Sequence, residues 1–256
     1  MSLKTQHSFS CALVLAAGKG TRMNSELPKV LMPLAGKTML RHVLENLVKS
    51  GIKNIVIVVG YKKESVIESL KDFTDAELTF VEQKEQKGTA HAVLSAKTAL
   101  AKTKGNLLVT NGDMPLIRPE TYKELLRCHI ENNYHATVLS SINKNPTGYG
   151  RLVRDENGEL TGIIEEKDAD EKTKKITEIN SGAYVFETPS IFSTIHRIES
   201  ENAQNEYYLP DAIALFHEEK MKIGSYVLEN SDEAIGANSR EDLIELERVY
   251  SALAVK

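Results

Sequence analysis

Leu15-Ala16-Ala17-Gly18-Lys19-Gly20-Thr21-Arg22-Met23, followed by Leu27-Pro28-Lys29-Val30-Leu31, is the stretch on which the reading of this chain turns. The apolar run Cys11–Ala17 predicts a buried strand that breaks into a glycine-rich loop. Glycines let backbone N–H groups approach a phosphate, and Arg22 and Lys29 add a guanidinium fork and an ammonium to the same loop. A tight strand-to-helix turn with solvated charges is the competing account. Small residues and cations at the carboxyl end of a first strand favour a phosphate site, because open α/β sheets bind ligands there. A dinucleotide fingerprint fails, since its third small residue would fall at Met23. Leu34-Ala35-Gly36-Lys37-Thr38 fails as a P-loop, whose leading glycine would fall at Leu31.

Working outward, strand-like runs alternate with amphipathic helical stretches. Strands are expected at Asn54–Gly60, Leu78–Val81 and Asn106–Thr110. Helices are expected at Thr38–Ser50, Lys63–Leu70, Thr89–Lys102 and from Pro119 to Asn132. Such alternation predicts a mostly parallel sheet flanked by helices. Past Tyr134 the pattern shifts to strands at Ala136–Ile142, Arg151–Arg154, Leu160–Glu165 and Thr177–Phe186, a mixed region able to wall off a cleft. Helices at Pro210–Glu219 and Arg240–Ala254 flank a strand at Lys222–Leu228. The run 165–175, EEKDADEKTKK, reads as a solvated loop or helix.

Composition narrows the classes. A formal charge of −4 over 256 residues leaves no basic footprint for nucleic acid. No apolar run reaches the ~20 residues needed to span a bilayer, and residues 1–10 lack the apolar core of a secretory signal. No membrane partner and a cytoplasmic location are expected. Cys11 and Cys128 read as small core residues in a reducing compartment, and the histidines form no HExxH spacing.

Gly112-Asp113 follows the strand at 106–110, so its carboxylate faces the crevice of the Gly18 loop. Asp113 is either a Mg²⁺ ligand working with substrate phosphates or a turn aspartate. Gly88-Thr89 either serves a ligand or starts a helix.

The stretch 15–40, LAAGKGTRMNSELPKVLMPLAGKTML, resembles the sugar-nucleotide pyrophosphorylases. It is most similar to the uridylyltransferase half of the bacterial bifunctional N-acetylglucosamine-1-phosphate uridylyltransferase/acetyltransferases. The likeness continues through Glu82-Gln83, Lys87-Gly88-Thr89-Ala90-His91-Ala92, Gly112-Asp113-Met114-Pro115-Leu116-Ile117, Gly148-Tyr149-Gly150-Arg151 and Glu165-Glu166-Lys167-Asp168-Ala169. It ends with Glu178-Ile179-Asn180-Ser181-Gly182 and Asn205-Glu206-Tyr207-Tyr208-Leu209-Pro210-Asp211.

The resemblance implies a Rossmann-like α/β nucleotidyltransferase fold and the reaction of UTP with N-acetylglucosamine 1-phosphate to UDP-N-acetylglucosamine and pyrophosphate. It implies Arg22 and Lys29 as the catalytic cations, with Leu15, Ala16, Ala17, Gly18 and Lys29 on the nucleotide. Gln83, Gly88 and Thr89 would form the base site, and Gly150, Glu165 and Asn180 the sugar site. Mg²⁺ would lie between Asp113 and Asn238, although Asn238 or Ser239 also reads as a helix cap. Asn111 stands where the family commonly has tyrosine, and Met32 where it commonly has histidine. The expected organisation is one nucleotidyltransferase domain over 1–256, without the family's left-handed β-helix. Two other readings stay open: a nucleotidyltransferase for a different nucleotide or sugar phosphate, and a regulatory subunit that keeps the fold without turnover.

Overall fold

The opening apolar run becomes strand β1 (Cys11–Ala16), in a computed structural model that describes residues 11–20, 25–237 and 239–254. A 3₁₀ turn at Lys29–Leu31 and a two-stranded hairpin, β2 (Pro33–Leu34) and β3 (Lys37–Thr38), lead into helix α1 (Met39–Lys49). Thr38 caps α1, accepting a hydrogen bond from Arg41 N. Then come β4 (Asn54–Val59), α2 (Lys63–Glu68), β5 (Glu77–Glu82), α3 (Thr89–Ser95), β6 (Asn106–Asn111) and α4 (Pro119–Glu131). Pro119 sits in the first turn of α4, where its missing N–H removes no helical bond. The second half supplies β7 (Ala136–Ile142), β8 (Arg151–Arg154), β9 (Leu160–Ile164), β10 (Glu178–Glu187), α5 (Thr188–Thr194), α6 (Asp211–Glu218), β11 (Ile223–Val227) and α7 (Arg240–Ala254).

The main sheet runs β11-β7-β10-β6-β1-β4-β5, with β8 joined to β10 and β9 joined to β8. β1 pairs in parallel with both β4 and β6, and β4 with β5. The chain therefore builds outward from β1 on one side and then on the other, a switch point at whose carboxyl end a crevice opens. β10 inserts antiparallel between β6 and β7, which gives the mixed half expected from the change of pattern after Tyr134. Period-two alternation divides the core. Ala12, Val14 and Ala16 pack with α1 and α4, whereas Cys11 and Leu13 pack with α3 and α6. A third cluster joins Leu34 and Met39 to Leu246 and Val249 of α7. Among the described residues no helix is long and apolar enough to cross a membrane.

Three local expectations need correction. The helix expected over Thr89–Lys102 ends at Ser95. Ala96, Lys97 and Ala101 donate to carbonyls three residues back, so the chain tightens into successive turns. Helix α5 was not anticipated, although Pro189 in its first turn is a start signal. The run 165–175 is a loop with one 3₁₀ turn, Thr173–Lys175, and it is not wholly solvated, because Ala169 is buried.

Candidate active site

The crevice is built from the ends of β1 and β6. Gly112 N donates to Leu15 O at 2.9 Å, which ties the Gly112-Asp113 turn to the strand entering the Gly18 loop. Leu15 and Ala16 thus lie within β1, with Ala16 buried, whereas Gly18 is exposed. Lys29 reaches the same point from its 3₁₀ turn, which the buried side chains of Val30 and Leu31 anchor in the core. Its ammonium forms an ion pair with the Asp113 carboxylate, and the two side chains are only 16% and 17% exposed. The expected phosphate cation and the expected metal ligand therefore share one partly desolvated position. Arg22 lies outside the described residues.

A cleft of about 330 Å³ opens beside this pair, lined by Asp113, Asn111, Gly150, Glu165, Asn180 and Tyr208 among others. The three expected sugar residues come together here from three segments. Asn180 sits at an irregularity in the β10–β7 pairing, between Asn180 and Tyr184. Its Nδ2 donates to Tyr184 Oη at 2.6 Å, and its Oδ1 accepts from Gly182 N at 3.1 Å. Asn180 N donates to Gly150 O at 2.9 Å. Gly150 lies close against Glu165: a Cβ there would lie 2.9 Å from Glu165 Oε1, so a side chain at this position would displace that carboxyl. The Gly148–Gly150 loop is held from behind by buried Arg151, whose Nη2 donates to Glu166 Oε2 at 2.6 Å.

Glu165 is the most perturbed carboxyl lining this cleft. Burial first, then the charges of Asp211 and Asp168, push it up to about 7, against a smaller opposing effect of Arg151. Burial and Asp168 push Asp211 up to about 6. Neither Asp168 nor Asp211 was singled out from the sequence, because only the fold brings α6 and the loop after β9 together.

The residues expected to hold the base form a second station, past the end of β5. Gln83 is 3% exposed and its N–H donates to Val59 O at 2.8 Å. Tyr61 N donates to Ala17 O at 3.1 Å, so the backbone of the first loop runs beside this station. Thr89 opens α3, as its helix-start reading required, and its Oγ1 accepts from Leu209 N at 2.9 Å.

Asn238 lies outside the described residues. Its neighbour Gly236 packs on Met114, where a Cβ would lie 2.6 Å from Sδ and 3.5 Å from Asp113 O. That segment is pinned by Glu233, 0% exposed, which accepts from Arg118 N and Nε at 3.0 and 2.7 Å. Ser239 takes the capping role: Asp242 N donates to Ser239 Oγ at 3.1 Å and Ser239 N to Asp242 Oδ2 at 2.9 Å. Among the described residues no three His, Cys, Asp or Glu side chains are arranged to hold a metal. Mg²⁺ takes one or two carboxylates and completes its shell with water and substrate phosphates, so the oxygen donor of Asp113 fits such an ion. Cys11 is buried in the core as expected, whereas Cys128 is only partly buried; both are unbridged. Buried His129 packs against Thr137, with its pKa lowered by burial to about 4.

Comparisons with known proteins place the whole chain rather than its site. The chain is 46% identical over 236 residues to the bifunctional protein GlmU of Lactococcus lactis subsp. lactis (strain IL1403), covering 92% of this chain and 51% of that protein. It is 45% identical over 238 residues to the protein of the same name from Streptococcus uberis (strain ATCC BAA-854 / 0140J), covering 93% and 51%. The chain thus spans about half the length of the curated relatives it matches. Among solved structures, a UDP-glucose pyrophosphorylase complexed with UDP-glucose superposes with a TM-score of 0.78 at 20% identity, covering 96% of this chain and 99% of that one. That likeness is one of fold, and it agrees with the Rossmann-like α/β architecture. The family model for nucleotidyl transferases matches residues 11–237, and the chain belongs to that family of enzymes.

Proposed function

We propose that this domain transfers a uridylyl group from UTP to N-acetylglucosamine 1-phosphate, releasing pyrophosphate and forming UDP-N-acetylglucosamine. One observation carries the reading: Asp113, the ion-pair partner of Lys29, lines the same cleft as Gly150, Glu165 and Asn180. A polyphosphate site and a hydroxyl-recognising site are thereby contiguous. The identity to proteins named GlmU supports the choice within the family.

The chemistry asks little of a general base. A sugar 1-phosphate, with a second pKa of about 6, is already a dianionic nucleophile at neutral pH. One of its oxygens forms a bond to the α-phosphorus of UTP as the bond to the leaving pyrophosphate oxygen breaks. The protein must bring two anions together in line and stabilise charge on the leaving group. Lys29 and Arg22 are assigned that role, with the backbone of Ala17 and Gly18 along the nucleotide. Asp113 and Asn238 would hold Mg²⁺, which when bound supplies further neutralisation of phosphate charge. Glu165 and Asn180 offer a carboxyl and an amide to sugar hydroxyls, and Gln83, Gly88 and Thr89 are assigned to the base site. The reading needs one nucleotidyltransferase domain over these residues, small-molecule substrates, and no nucleic acid or membrane. The proposed setting is the cytoplasm, supported by two unbridged thiols.

The test is product identification. Purified protein, Mg²⁺, UTP and N-acetylglucosamine 1-phosphate should yield UDP-N-acetylglucosamine by mass spectrometry, with one pyrophosphate per product. Product from another nucleotide or sugar phosphate, with none from this pair, would replace the assignment. No turnover with any pair would point to a non-catalytic subunit.

A further inference from the structure

The buried Gln83 amide has both of its donors engaged. Nε2 lies 3.0 Å from Gly88 O and 3.0 Å from His91 Nδ1. A carbonyl oxygen only accepts, so the atom facing Gly88 is the NH₂ group rather than Oε1. The second N–H then meets His91 Nδ1, which must carry a lone pair, so the ring proton belongs on Nε2. What the amide has left to offer is Oε1, an acceptor only.

Both partners are fixed from a distant segment. Gly88 adopts a φ of +105°, and a Cβ there would lie 2.5 Å from Tyr207 O. Tyr207 N donates to Lys87 O at 2.8 Å and Ala90 N to Tyr207 O at 2.9 Å, clamping the start of α3 that carries His91. Rotating the amide by half a turn would set Oε1 against Gly88 O and against the Nδ1 lone pair at once. Two repulsive contacts oppose the flip, one of them from His91.

We infer that His91, as its Nε2–H tautomer, is a positioning residue that locks the Gln83 amide so that the site accepts a pyrimidine with an N3–H, uracil or thymine, and refuses cytosine. Cytosine presents a lone pair at N3, which would face the lone pairs of Oε1. The inference rests on the proposed uridylyl transfer and on Gln83 as the base contact.

The test compares kcat/KM for UTP and CTP in wild type, Gln83→Ala, His91→Ala and His91→Asn, with the tautomer of His91 read by ¹⁵N NMR. Wild type should prefer UTP by at least roughly tenfold. His91→Ala should lower that ratio by about threefold or more, through KM for UTP rather than kcat. His91→Asn, whose side-chain oxygen can accept near the Nδ1 position, should stay within about twofold of wild type. In the wild type, protonated Nε2 and bare Nδ1 are expected, a readout independent of how well any variant folds. An unchanged ratio in His91→Ala, an equal loss in His91→Asn, or an Nδ1–H tautomer overturns the inference. A wild type that does not use UTP is the failure of the functional reading itself. A ratio that survives Gln83→Ala removes the base contact and this inference with it.

Discussion

Replacing Glu165 by glutamine tests whether the cleft holds its carboxylate at the expense of stability. The native carboxyl keeps its proton up to about pH 7, whereas its ordinary value is 4.5. Between those values the native state binds more protons than the unfolded chain, so stability falls as pH rises from 4.5 through about 7. The difference, at about 1.36 kcal/mol per pH unit, amounts to about 3 kcal/mol once the group is ionised in both states. At about pH 5 the native carboxyl is still neutral and the difference is only about 1 kcal/mol. Glutamine has nearly the same shape and no charge to desolvate. It also removes the repulsion that the Asp168 and Asp211 charges exert on an ionised Glu165. In a chain of this size 1 kcal/mol moves Tm by about 2–4 °C. The ligand-free Glu165→Gln protein should therefore melt above wild type, with an advantage that grows by roughly 4 °C or more between about pH 5 and about pH 8.5. Scanning fluorimetry across that range reads it directly. KM for the sugar phosphate should rise in the same variant, the usual relation between a strained site and its function. A Tm difference that is constant with pH, or a variant less stable at high pH, would refute the argument.

Two further perturbations address the phosphate side. Lys29→Ala and Arg22→Ala should each lower kcat/KM by roughly 10²-fold or more with an unchanged circular dichroism spectrum, the scale of losing a preorganised charge; near-normal kinetics in both would remove the loop from the mechanism. Chelation should abolish activity and excess Mg²⁺ restore it, and Asp113→Asn should raise the Mg²⁺ requirement, lower turnover, or both; an unaltered metal response would exclude Asp113 as a ligand.

Much of the fold was legible because its signals are local. Strand β1 is an unbroken apolar run, α1 has a Thr38 cap and a one-sided apolar face, and α7 has the bounds expected of it. Helix α3 was overextended because Ala and Lys favour helix intrinsically. The buried Ala96 and Leu100 instead belong to a tighter run of turns. Helix α5 has only a weak local signal, because its β-branched Thr188, Ile191 and Thr194 lower helix propensity.

The site divides along the same line. The Gly18 loop and Asp113 could be argued from strand ends. Gly150, Glu165 and Asn180 had no local signature and came only through family resemblance. The effect of Asp211 on Glu165 depends on α6 meeting the loop after β9, and His91 meets Gln83 across the turn between β5 and α3; no periodicity encodes either contact.

The most direct test of the central claim is a crossed panel of nucleoside triphosphates and sugar 1-phosphates, followed by pyrophosphate release. The account predicts the highest kcat/KM for UTP with N-acetylglucosamine 1-phosphate, with UTP ahead of CTP by at least roughly tenfold, or about 1.4 kcal/mol. Equal use of CTP, or turnover confined to a different pair, would contradict it.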